Sequence, residues 1–152
     1  MANTTFSGPV RSGSISNTTG TTVGTNMANV GSMLVSQTEA ITQVATTSTT
    51  NIIIPANSQL VFAKLFVSVV WNGAATTAGL GYVGNAVAFT AAGAIAGGTL
   101  GIIEVTPGAN KARVDEWADI GTTDRQILLT YPNVGTGVGW ITVGYIQNAN
   151  VG

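Results

Sequence analysis

Histidine and cysteine are both missing from the sequence. Without imidazole no side chain titrates near neutrality as a general base. Without thiols there is no cysteine nucleophile, no His/Cys metal site and no disulfide. Charge is scarce as well: 5 Lys+Arg and 6 Asp+Glu make up 7% of 152 residues, where a globular chain usually carries about 25%. A monomer surface is hard to clothe in so little charge, so part of it is expected to be covered by protein. The net charge of −1 leaves no cluster of Lys and Arg for a phosphate backbone or an anionic bilayer. Nucleic acid and membrane are therefore not expected as partners, no cofactor or metal is implied, and with no nucleophile and base to pair the chain does not read as an enzyme.

What is present is 45% apolar residue and a polar share of Thr, Asn, Ser and 20 glycines. Thr fits a pleated surface, and Gly and Asn take the backbone angles of tight turns, so a mainly β protein is expected. The length suits one domain with an appendage. Residues 1–30 are rich in Thr, Ser, Asn and Gly with neither helical period nor sustained alternation, which reads as an extended N-terminal arm. Nothing in it reads as a secretory signal, since no apolar run follows a basic start. Ordering such an arm costs about 1–2 kcal/mol per residue. Anchors such as Phe6, Val10, Ile15, Val23 and Val30 return roughly 1.5–3 kcal/mol apiece when buried. The arm is thus expected to order only along a partner, which it can seek over a span of close to 100 Å at about 3.3 Å per residue.

Residues 31–152 carry the strand signals. Ser32 to Thr46 reads as one bent strand or two; Ile52 to Ile54 stops at Pro55, and Ala56 to Ser58 reads as a turn. In Gln59 to Asn72 the odd positions Val61, Ala63, Leu65, Val67, Val69 and Trp71 are all apolar, the face a sheet turns to its core. The even positions, Leu60, Phe62, Lys64, Phe66, Ser68 and Val70, are largely apolar too, so a loop, the arm or an identical subunit must cover them. For the last of these, Leu60, Phe62, Phe66 and Val70 are the subunit-interface candidates. Further strands are expected at Gly79 to Val83, Ala86 to Thr90, Thr99 to Val105, Arg125 to Tyr131 and Gly139 to Gln147, which makes an all-β, jelly-roll-like β-sandwich. Eight of the charges fall between Glu104 and Arg125, a solvated stretch with a helical turn expected near Arg113 to Ala118.

Several motifs have bland readings that outweigh the functional ones. Gly79, Gly81 and Gly84 match GxGxxG with Glu104 about 20 residues on, yet no crossover helix or second parallel strand follows, so glycine-rich β turns are expected. The uncharged run from Lys64 to Glu104, with Gly93 and Gly97 in a GxxxG, lacks the hydropathy and flanking basic residues of a membrane span and reads as a small-residue loop packed on protein. Asp115, Glu116, Asp119 and Asp124 lack calcium-loop spacing. Trp71 and Trp140 sit in strand patterns as core or subunit contacts, which leaves Trp117 as the aromatic to watch for ligand contact.

The opening Thr5-Phe6-Ser7-Gly8-Pro9-Val10-Arg11-Ser12 resembles the start of tailed-bacteriophage head decoration (cement) proteins. The run Ile54-Pro55-Ala56-Asn57-Ser58, the long strand ending Trp71-Asn72-Gly73, and Gly137 to Ile146 are similar to their β-rich bodies. The resemblance implies a structural virion protein on the outer surface of an icosahedral capsid, a homo-oligomer of trimeric form that bridges major capsid protein subunits. It implies Phe6, Pro9, Val10 and Arg11 as the docking segment of the arm. The alternative is a phage tail, fibre or host-glycan-binding module built on the same sandwich.

Overall fold

The computed structural model describes residues 33–147; the 1–30 arm, with Phe6, Pro9, Val10 and Arg11, lies outside the described residues. Eight strands and one helix follow in chain order: β1 (Met33–Thr42), β2 (Thr47–Ile54), β3 (Ser58–Val69), β4 (Thr77–Tyr82), β5 (Ile95–Ala96), β6 (Gly101–Val105), α1 (Lys111–Ala118), β7 (Arg125–Thr130) and β8 (Val138–Gln147). They form two four-stranded sheets with orders β1-β8-β3-β6 and β2-β7-β4-β5. The β2–β7, β3–β6, β3–β8, β4–β5 and β4–β7 pairs are antiparallel. Two four-stranded sheets, interleaved so that β1, β3, β6 and β8 lie in one and the rest in the other, are the double-sheet jelly roll expected from the strand signals.

The core between the sheets is filled by the inward-facing residues, among them Ile54, Leu65, Leu80, Phe89, Ile127, Leu129 and Ile141. On β3 the expected alternation holds in the middle and fails at both ends. Ala63, Leu65 and Val67 are buried, but an extra residue between Leu60 and Phe62 in the β3–β8 register forms a bulge at Val61. A bulge reverses the pleat on one side of it. Leu60, an expected interface residue, is therefore turned into the core at 4% exposure, and Val61, an expected core residue, is turned out. A second extra residue between Val67 and Val69 turns Val69 out in the same way.

Ala86 to Thr90, expected as a strand, run instead as a loop laid on β4. Phe89 and Thr90 donate their backbone N–H groups to the Leu80 carbonyl, and the Leu80 N–H donates to Thr90 Oγ1. Gly81 faces this loop, and a Cβ on it would strike the backbone of Asn85 and Ala86, while Gly79 lies against Ala91 and Ala92 just beyond. Gly81 thus serves a close backbone approach, while Gly84, with open space beside it and a φ of 105°, serves the turn that leads into the loop. At the opposite edge, β1 side chains protect β2: Gln37 Nε2 donates to the Ile53 carbonyl, and the Glu39 carboxylate accepts from the Asn51 backbone and side-chain N–H groups.

Candidate interaction surface

The described residues offer no reactive constellation. The Asp119 carboxylate accepts the Gly121 N–H, that of Asp124 accepts the Ala56 N–H, and that of Asp115 pairs with Lys111 one helical turn away. Among the described residues no three acidic side chains converge as metal ligands, and no helix is long and apolar enough to cross a membrane. α1 starts at Asn110, whose side chain caps the Arg113 N–H. Trp117, the aromatic singled out for ligand contact, instead packs on the core and donates its indole N–H to the Phe89 carbonyl at 3.0 Å. Arg113 reaches the Val87 carbonyl and Arg125 stacks on the Tyr82 ring. Burial, and after it the neighbouring Glu116, hold the Tyr82 phenol above its ordinary pKa.

What the fold does build is a body with two unlike ends. In this topology the β2–β3 and β6–β7 connections share one end, where the Asn57 N–H donates to the Gly121 carbonyl and the Ile120 N–H to the Ser58 carbonyl. Lys111, Arg113, Asp115, Glu116, Asp119 and Asp124 all belong to that end. The β1–β2, β3–β4, β5–β6 and β7–β8 connections share the other, and those segments contain no charged residue. They carry Val44, Val70, Leu100 and Val134, all exposed.

The uncharged end is held by a buried polar clasp. Gln43 is fully enclosed; its side-chain NH₂ donates to the Asn72 and Asn133 carbonyls at 3.1 and 3.2 Å, and its Oε1 accepts the Asn72 N–H at 3.1 Å. Asn133 adds a bond to the Asn72 carbonyl and accepts the Ala75 N–H, and Asn72 grips both the N–H and the hydroxyl of Thr136. Beneath the clasp the Trp71 indole is enclosed by Gly97 and Gly137, at either of which a Cβ would fall inside the ring, and it meets Tyr131 edge-on at 4.9 Å. The chain's own hydrogen bonds therefore tie the β1–β2, β3–β4 and β7–β8 connections to one another.

The second surface is the outer face of the β1-β8-β3-β6 sheet. Phe66 is the register partner of Ile102 on β6 and of Trp140 on β8, and its ring lies 5.6 Å from the Trp140 indole. The three are exposed by 69% (Ile102), 43% (Phe66) and 39% (Trp140). One row along, Lys64 meets Glu104 at 3.3 Å, and Thr142 bonds Thr38 across β8 and β1. Of the residues expected at an interface, Phe66 belongs to this row, Phe62 lies on the same face packed over Gly144, and Val70 is exposed in the β3–β4 connection. Ile102 is not singled out by the sequence, and Trp140 reads there as a core or subunit contact without its face being assigned; the structure turns it outward. The signal was available for Trp140, since Ile141, Val143 and Tyr145 alternate with it and take the core.

No protein-family model matches the sequence, and no curated protein matches it. The fold has a counterpart among solved structures. A chain of the cyanophage Pam1 capsid asymmetric unit is similar, with a TM-score of 0.56 and 17% identity over 77% of this chain and 86% of that one. At that identity what the two share is the fold.

Proposed function

We propose that the protein is a structural component of a bacteriophage virion: a head decoration protein that sits on the outside of an icosahedral capsid and bridges major capsid subunits. The observation that carries this reading is the uncharged, clasped loop end, which exposes Val44, Val70, Leu100 and Val134 among neutral polar residues, on a jelly roll that resembles a chain from a phage capsid. Such a surface binds protein by burial, at about 25 cal/mol per Å² before ordering costs. The charged end keeps the far side of the body wetted. The arm adds a second attachment, with Phe6, Pro9 and Val10 entering apolar pockets and Arg11 meeting a carboxylate of the shell. Assembly as a trimer multiplies weak single contacts through effective concentration.

The test is an add-back assay in which purified protein is mixed with bare heads and the heads are sedimented. The full chain is expected to co-sediment, and a chain lacking Met1 to Val30 is expected to remain folded and stay in the supernatant. Truncated protein at full occupancy on heads would overturn the role of the arm, and failure of the full chain to bind would overturn the reading as a whole.

A further inference from the structure

We propose that the Ile102–Phe66–Trp140 row is the contact between copies of the chain, with the β6 edge of one copy seated on the Phe66–Trp140 shelf of the next. The inference rests on the homo-oligomer of the reading above and names its surface.

The shape of the row has two unlike halves. Ile102 stands on β6, the outermost strand of its sheet, and is the most exposed side chain of the three. Phe66 and Trp140 lie one and two strands inward, their rings tilted by 39° to form a shallow shelf. A knob on the edge beside a shelf on the face makes a head-to-tail contact, the kind that closes into a ring when the rotation allows.

The charges follow the same division. Glu104 stands on β6 with the knob, and Lys64 on β3 with the shelf. They already touch within one chain, but only Oε1 is engaged, and both side chains are well exposed. A neighbour that lays its β6 edge on the shelf brings its own Glu104 to Lys64. No other charge stands on the outward positions of this sheet to oppose it. Self-contact also accounts for an edge strand that carries an isoleucine so far out of the sheet. On a lone subunit such an edge, with backbone groups paired on one side only, is an aggregation hazard that natural sheets usually blunt.

Light scattering on the full chain reads the proposal directly. The wild type is expected at the mass of a trimer, and Ile102→Lys at the mass of a monomer with an unchanged β circular dichroism spectrum, because the site is on the surface. Lys64→Glu and Glu104→Lys should each raise the monomer fraction several-fold. An equimolar mixture of the two should regain association in part, since in a mixed ring of three two contacts join opposite charges and one stays like-charged, although the pair inside each chain stays broken. Wild-type mass for Ile102→Lys, a monomeric wild type, or no recovery in the mixture would overturn it. Head sedimentation run alongside separates the two readings. A trimeric Ile102→Lys that binds heads removes only the self-contact, and a wild-type trimer that ignores heads removes only the decoration role.

Discussion

Replacing Gln43 by leucine tests whether the loop end is held by its polar clasp or by the apolar packing beneath it. The side chain is fully buried, and leucine has a similar volume, so the change removes hydrogen bonds without opening a large cavity. Three bonds are lost, but their consequences differ. The Asn72 carbonyl keeps the Asn133 side-chain donor at 2.8 Å. The Asn72 N–H and the Asn133 carbonyl lose the partner that satisfied them. Each stranded group costs about 1–3 kcal/mol, or roughly 4 for the pair. Burial of the added apolar surface returns about 1.5 kcal/mol, which leaves a net loss of about 2–3 kcal/mol. In a body of this size each kcal/mol moves the melting temperature by about 3–5 °C, so a fall of about 10 °C is expected. Thermal unfolding followed by circular dichroism measures it, and a urea titration should show a lower midpoint at unchanged slope. Amide hydrogen exchange should accelerate first at Ala75 and Gly135, whose N–H groups are tied into the same clasp. A melting temperature within about 3 °C of the wild type would refute the reasoning, since the clasp would then contribute no more than an ordinary surface contact.

Gly137→Ala should be worse tolerated, at about 3 kcal/mol or more, because its Cβ would enter the Trp71 ring while Gly97 blocks retreat on the other side; a chemical denaturation curve reads the loss. Tyr131→Phe is expected to be nearly neutral at pH 7, because the buried hydroxyl has no hydrogen-bond partner. Its effect emerges in alkali. Burial raises the Tyr131 pKa, so the native state keeps a proton that the unfolded chain releases above about 10, and stability falls as pH rises through the native value. Stability measured against pH should decline less steeply for Tyr131→Phe than for the wild type above pH ~10, and parallel curves would refute the assignment.

Most of the sandwich was legible because its strands are long, apolar on one face and separated by turn residues. Pro55 and Asn57 stop β2 and turn into β3, and Asn57 takes the positive φ of 57° expected of a turn asparagine. The misreadings of strands have one physical source: backbone irregularity leaves little trace in a pattern of side chains. Val61 and Leu60 are equally apolar, so nothing in their chemistry shows that a bulge exchanges their faces. Ala86 to Thr90 has β-favouring residues, but whether it forms a ladder or lies along β4 depends on Gly81 admitting its backbone, a tertiary event. Trp117 looked free because it sits in a charged stretch, and its indole N–H is satisfied by Phe89, 28 residues away in sequence.

The clustering of charge in the sequence acquires its meaning only through the topology. In an eight-stranded jelly roll successive connections alternate between the two ends of the body, so a charged stretch in any one connection marks a single end. Here the stretch is the β6–β7 connection, and the four connections at the far end contain none of the charged residues. Had the same residues been divided between β5–β6 and β6–β7, both ends would be wetted and neither would suit an apolar partner. The polarity therefore comes from placing a run of charges in a connection of one parity. The sandwich then needs no special loop to tell its two ends apart. The outward row on the β1-β8-β3-β6 sheet lies across this axis, so the proposed contact with a shell and the proposed contact between copies fall on different surfaces of one body.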